Sequence, residues 1–173
     1  IDDILTVGHV EKRGTPTPGG RQSDTDFLYT RSMSDRSLVQ RRIEVATGLF
    51  EGWSSGDPDG PAPFWAPHGI LDDVASGVFE GWPAIREFFA RGLSRTANLT
   101  LVPDEFWANA DGLALRYVMS GDVVRPESYG PEYVGKRWSV PCMSYLRFEG
   151  DLVCYEADFH DKGARAKSLG IGV

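Results

Sequence analysis

Two carboxylates near the end of the chain, Glu156 and Asp158, have the spacing of residues that share one face of a β-strand. Val153 and Phe159 belong to the alternate, apolar set, which faces the other way. From the residues alone, the apolar set would pack in the core and the carboxylates would face water, where most carboxylates lie. The same spacing allows both carboxylates to enter one pocket. This strand is therefore the first candidate for acid/base chemistry.

Two further groups could complete such a site. Asp72 and Asp73 are adjacent in a strand-like segment, so one of them must face each side of a sheet. A carboxylate in an apolar pocket has a raised pKa, which suits proton transfer near neutral pH, whereas one at a strand end forms a turn or a surface pair. Arg116 interrupts the apolar alternation of residues 113–119. Its guanidinium could hold Asp158 ionised, orient a substrate oxygen or form a surface salt bridge.

The histidines and cysteines do not form a metal or disulfide pattern. The three histidines are widely spread and lack HxH or HxxxH pairing, so we expect no metal site. We expect His160 to point to the face opposite Asp158 or to lie in the turn before the last helix, and His68 to face solvent. Cys142 and Cys154 are offset by about 10 Å along the predicted hairpin, beyond the roughly 7 Å that a disulfide spans. Both should be free thiols.

Composition favours one globular domain. The 173 residues are 41% hydrophobic and carry a net charge of -7. This charge argues against nucleic acid and anionic membrane surfaces as main partners, because both favour clustered Lys and Arg. No apolar run approaches the roughly 20 residues of a membrane span, and the first residues lack the basic and apolar blocks of a signal peptide. We therefore expect a cytoplasmic protein.

The order of predicted elements indicates an α+β fold. Residues 1–33 are rich in Gly, Pro and Thr and predict a partly irregular N-terminal arm, with the main domain over 34–173. An amphipathic helix follows from Ser34, and a second begins at Gly81-Trp82-Pro83. Five strands and a short last helix complete the pattern, with strands near 68–74, 98–108 and 113–122 and in a hairpin that turns at Glu149-Gly150. Such a run of strands predicts a mainly antiparallel sheet.

Several stretches resemble the SnoaL-like polyketide cyclase group of the nuclear-transport-factor-2-like superfamily. They are Leu49–Asp57, Gly81–Phe89, Ser139–Pro141, Arg147–Val153 and Asp158–Asp161. Ketosteroid isomerases and limonene-epoxide hydrolases belong to the same superfamily. The resemblance implies a cone-shaped, curved sheet wrapped on three to four helices around a deep apolar pocket, a homodimer and no required cofactor.

The resemblance also implies roles for particular residues. Asp158 would enter the pocket, Asp73 falls where ketosteroid isomerases carry their general base, and Arg116 falls where epoxide hydrolases carry an arginine. The second carboxylate of the epoxide hydrolase arrangement is missing at Val118, and the oxyanion donors of the isomerases are missing too. Residues expected to line the pocket and bind substrate are Trp53, Trp65, Phe89, Tyr117 and Glu156.

Two functions fit these observations. The first is a cofactor-independent acid/base enzyme acting on a small, largely apolar, oxygenated molecule by cyclisation, isomerisation, dehydration or epoxide opening. Asp158 and Asp73 would transfer protons and Arg116 would be their electrostatic partner. The alternative is a non-catalytic module that binds a small ligand or mediates assembly. Inward carboxylates with perturbed pKa values would favour the enzyme.

Overall fold

The computed structural model describes residues 24–109 and 111–172. Its helices are α1 (Asp24–Ser54), α2 (Trp82–Leu93), α3 (Pro126–Tyr129) and α4 (Lys162–Ser168). Its strands are β1 (Trp65–Asp73), β2 (Gly77–Glu80), β3 (Thr96–Ala108), β4 (Leu113–Val123), β5 (Arg137–Glu149) and β6 (Leu152–Phe159). Helix α1 begins well before the predicted start at Ser34, and most of the predicted N-terminal arm lies outside the described residues.

The six strands form one curved, mixed sheet in the order β2-β1-β6-β5-β4-β3. All neighbouring strands pair antiparallel except β1 and β6, which run parallel. This pairing places the first strand of the chain beside the last. The predicted α+β class with a mainly antiparallel sheet is confirmed.

Alternation along the strands separates an inner from an outer face. In β4 the side chains of Leu115 and Tyr117 are buried, whereas those of the alternate residues Arg116 and Val118 are exposed. The inner face packs against α1, whose predicted apolar stripe is buried at Ala46, among others. No described helix has the length and hydropathy needed to span a bilayer.

Local geometry differs from the sequence predictions at two places. The last hairpin turns at Gly150-Asp151, because Glu149 pairs with Leu152 and a bulge follows Arg147. Strand β2 was not predicted, since its four residues are too few for a clear alternation signal. The two cysteines are free, as predicted.

Candidate active site

A cavity of about 580 Å³ opens between the inner face of the sheet and helix α2. Its apolar wall is largely aromatic. Trp53 of α1 stacks on Phe89 of α2, and Phe88 packs against Phe79 of β2. The volume is in the range of pockets that bind small organic molecules.

Three titratable side chains meet on the polar wall of this cavity. Asp73 and Asp158 are direct neighbours across the parallel pair of β1 and β6, and His160 follows β6 immediately. One carboxylate oxygen of each aspartate and one imidazole nitrogen all lie within 4.8 Å of one another. Asp73 is 3% exposed, so the cluster is largely shielded from bulk water.

Hydrogen bonds fix the Asp158 carboxylate in place. The Tyr117 hydroxyl donates to Asp158 Oδ1 at 2.6 Å, and the Ser144 hydroxyl lies 3.2 Å from the same oxygen. Burial first, and then the negative charge of Asp158, raise the pKa of Tyr117 well above its usual value, so this hydroxyl keeps its proton. Asp158 Oδ2 is left to face His160, whose Nδ1 lies 3.4 Å away.

The imidazole of His160 is coupled to Asp158. The pKa of His160 is raised, mainly by its hydrogen bond with Asp158, against the opposing effect of burial. An imidazole oriented in this way by a carboxylate is a common proton-transfer unit in enzymes.

Glu156 adds a third carboxyl group to the cavity wall. Burial, and then the charge of Asp158, raise the pKa of Glu156 to about 8, so the group is mostly protonated at neutral pH. Ser144 Oγ lies 3.0 Å from its Oε1. Its Oε2 is buried and has no hydrogen-bond partner among the described residues. A protonated carboxyl in this position can donate a hydrogen bond to a bound oxygen.

The structure brings together six of the eight residues proposed from the sequence. These line the cavity: Asp73, Asp158, Trp53, Phe89, Tyr117 and Glu156. Trp65 is instead buried in the core behind the wall, where it makes an edge contact with Trp53 at 6.4 Å between ring centroids.

The expected place of Arg116 beside Asp158 is wrong. Because Tyr117 points inward, its neighbour Arg116 must point outward. There it forms ion pairs with Asp104 at 2.9 Å and Glu105 at 3.3 Å and is half exposed. The structure therefore supports a surface salt bridge as the role of Arg116.

Of the two places expected for His160, the turn before the last helix is confirmed and the face opposite Asp158 is wrong. Period-two alternation carries Glu156, Asp158 and His160 to one side, and this signal was present in the sequence. His68, in contrast, is exposed and lies 2.9 Å from Glu149. Ser144 gave no local signal, because its role depends on the pairing of β5 with β6.

The cluster of Asp73, Asp158 and His160 also has the ligand types and spacing to hold a divalent cation, although the sequence showed no metal-binding spacing. In the structure, however, Asp158 Oδ1 accepts the hydrogen bond from Tyr117, and Oδ2 faces an imidazole nitrogen. The Tyr117 hydrogen bond is typical of an acid/base carboxylate, whereas His160 Nδ1, which has no well-aligned hydrogen-bond partner among the described residues, is available for either role.

The fold is a curved sheet that helices close around an aromatic cavity, and buried acid/base groups lie on the wall of that cavity. It is an α+β fold built around a binding pocket. The chain belongs to the SnoaL-like domain family, which it matches over residues 46–156. No curated protein matches it.

Solved structures show the same fold. A proposed polyketide cyclase from Xanthomonas campestris has a TM-score of 0.68 and 16% identity, covering 76% of this chain and 98% of its own. A protein with a ketosteroid isomerase-like fold from Catenulispora acidiphila, in complex with trimethylamine, has a TM-score of 0.65 and 19% identity, covering 75% and 94%. IdmH, a proposed polyketide cyclase from Streptomyces antibioticus, has a TM-score of 0.63 and 17% identity, covering 75% and 99%.

Proposed function

We propose that this protein is a cofactor-independent acid/base enzyme of the cyclase or isomerase type, acting on a small, largely apolar ketone. The observation that carries the proposal is the meeting of Asp73, Asp158 and His160 within 4.8 Å of one another on the wall of an aromatic cavity. Family membership and the proposed polyketide cyclases among the similar structures support the same class of reaction.

The central step is removal of a proton from a carbon next to a carbonyl group. Asp158 Oδ2, which lies 3.4 Å from His160 Nδ1, favours a proton on that nitrogen, which leaves Nε2 as the proton acceptor, and the raised pKa strengthens the imidazole as a base. Negative charge then develops on the carbonyl oxygen of the substrate. Glu156, whose carboxyl group lines the cavity and is mostly protonated at neutral pH, donates a hydrogen bond to that oxygen.

Asp73 serves reactions that need a second proton transfer. Its Oδ1 accepts a hydrogen bond from the Ala75 amide at 2.9 Å, which fixes the carboxylate beside Asp158. After carbon–carbon bond formation or before loss of water, a proton must be delivered to oxygen. The imidazolium formed at His160 holds that proton, and Asp73, within 4.8 Å of the imidazole, can relay it. Epoxide opening fits less well, because Arg116 lies outside the cavity.

A purely binding role is the alternative, and the buried acids favour catalysis over it. A cavity that only holds an apolar ligand gains nothing from three carboxyl groups and an imidazole, since burying such groups costs free energy. Their concentration on one wall is typical of a site that moves protons.

The test is deuterium exchange next to a carbonyl group, followed by NMR in deuterated buffer. β-Tetralone and α-tetralone are suitable probes, because both are fused-ring ketones with exchangeable hydrogens next to the carbonyl group and fit the cavity volume. The protein should accelerate exchange into at least one of them well above the buffer rate. Binding of both probes without any acceleration would contradict the proposal and favour a binding module.

We also propose that the protein forms a homodimer through the outer face of the sheet. Exposed apolar side chains collect there: Val102, Val118, Met143 and Phe159 are 57%, 37%, 44% and 50% exposed. Strand pairing sets Val102 beside Val118 and Met143 beside Phe159, so they lie on neighbouring strands of one face. Exposed apolar clusters of this kind commonly mark protein interfaces.

Val118→Glu should weaken this dimer by at least about 100-fold, because the change buries a charge in each half of a symmetric contact. Sedimentation velocity at micromolar concentration measures the effect. Val134→Glu is the matched control, since Val134 is 46% exposed and lies in the loop before β5. A wild-type protein that sediments as a monomer would contradict the proposal.

A further inference from the structure

Arg165 is a cation on the cavity wall that has no carboxylate partner among the described residues. It lies in α4 and lines the cavity together with Asp158 and His160. Among the residues that the structure describes, no carboxylate lies within ion-pair distance of its guanidinium. Arg91, in contrast, also lines the cavity but pairs with Glu87 at 2.7 Å.

The contacts of Arg165 hold the guanidinium in place without satisfying its donors. It lies over the Trp138 ring at 4.0 Å from the centroid, and its Nη2 donates to the Met119 sulfur at 3.7 Å. Its Nε is buried and has no hydrogen-bond partner in the described part of the chain. Unpaired buried donors are costly, and a planar guanidinium fixed on an aromatic face is well suited to bind a planar anion.

The charges around the cavity do not oppose an anionic ligand, although the whole chain is acidic. Three arginines line the wall, Arg91, Arg95 and Arg165, and Arg91 is already paired with Glu87. Of the three carboxyl groups on the wall, Glu156 is mostly protonated at neutral pH, because its pKa is about 8. Arg95 and Arg165 therefore match the two remaining carboxyl groups, Asp73 and Asp158, in number, in contrast to the net charge of -7 of the chain.

Arg165 is also in electrostatic reach of the proton-transfer pair. The pKa of His160 is raised mainly by its hydrogen bond with Asp158, and the positive charge of Arg165 partly offsets that effect. An anionic group held by Arg165 would thus place the rest of a small molecule beside the imidazole.

We infer that Arg165 is a carboxylate-binding residue and that the substrates are aromatic or polycyclic ketones that carry a carboxylate group. The inference names the substrate class of the proposed enzyme and in that respect rests on the proposed function. The binding of the carboxylate itself requires no turnover. Arg165 positions the acid end of the molecule, and the aromatic wall of Trp53 and Phe89 receives its rings.

The test compares β-naphthoate with β-naphthamide, a neutral molecule of the same shape, by isothermal titration calorimetry. The wild-type protein should bind the naphthoate about tenfold or more tightly, as expected for a charge-assisted, bidentate contact. Arg165→Gln should bring the two affinities to within about twofold, whereas Arg165→Lys should keep part of the preference. Arg116→Gln is the matched control, because Arg116 lies outside the cavity and should leave the preference unchanged.

Several results would overturn the inference: equal binding of the two probes by the wild-type protein, no naphthoate binding up to about 5 mM, or an unchanged preference in Arg165→Gln. Circular dichroism establishes that each variant is folded. β-Tetralone has no carboxylate, so exchange into it tests catalysis without the Arg165 contact. If exchange fails but the preference for naphthoate still depends on Arg165, the proposed enzymatic function is contradicted, whereas the carboxylate-binding role of Arg165 is supported.

Discussion

Asp158→Asn should slow deuterium exchange into β-tetralone by about 10²- to 10⁴-fold, the usual contribution of a positioned acid/base group. An amide has no charge with which to hold the Nδ1 proton of His160 or to stabilise the imidazolium that forms. The fold should persist, because the amide oxygen can still accept the hydrogen bond that Tyr117 donates at 2.6 Å. NMR exchange rates, with circular dichroism on the same samples, measure both effects.

Asp72→Asn is the matched control for this change. Asp72 neighbours the cavity residue Asp73 in β1 but points to the other face, where the Tyr155 hydroxyl donates to it at 3.2 Å. Its replacement should leave exchange within about twofold of wild type, since surface substitutions have small effects. Exchange at the wild-type rate in Asp158→Asn would remove Asp158 from the mechanism.

Glu156→Gln should increase stability by an amount that grows as the pH rises from about 4.5 to about 8, the ordinary and the folded pKa of Glu156. Within this window the folded state holds a proton that the unfolded state has released. Each unit of rising pH therefore lowers the unfolding free energy of the wild-type protein by up to about 1.4 kcal/mol through this residue. Glutamine does not titrate, so the variant does not lose this stability. Urea denaturation at both ends of the window measures the difference.

The same variant tests the role of Glu156 as a donor to the developing oxyanion. In the wild-type protein, kcat/KM for exchange should fall above about pH 8, where Glu156 ionises. The glutamine amide remains a donor, so the variant should keep its rate at higher pH. Glu80→Gln is the control, because Glu80 is exposed on β2. A stability gain that does not grow with pH would contradict the buried, protonated state.

Much of the fold could be predicted from local patterns. The period-two alternation of β4 and the apolar stripe of α1 are properties of short segments, and both elements include the segments that those patterns indicated, although α1 begins earlier than predicted. Asp73 and Asp158 were identifiable as candidates, but their contact was not predictable from local sequence. It depends on the parallel pairing of β1 with β6, which brings together distant parts of the chain.

The errors at the site concern the direction of side chains. For Arg116 a place in the cavity and a surface salt bridge were both open, and the inward position of Tyr117 leaves the salt bridge. For His160 the turn before α4 is confirmed, and the face opposite Asp158 is wrong, although its spacing from Asp158 indicated the same face. Arg165 had no signal at all, because its position depends on how α4 folds back onto Trp138 of β5.

The most direct test of the central claim, that Asp158 and His160 act as one proton-transfer unit, is an NMR titration of the imidazole of His160. The wild-type protein should give a pKa above the ordinary value of 6.5, and Asp158→Asn should lower it. Asp72→Asn, which changes a carboxylate on the other face of β1, is the matched control and should leave the pKa of His160 raised. A His160 pKa at or below 6.5, or one unchanged by Asp158→Asn, would contradict the claim.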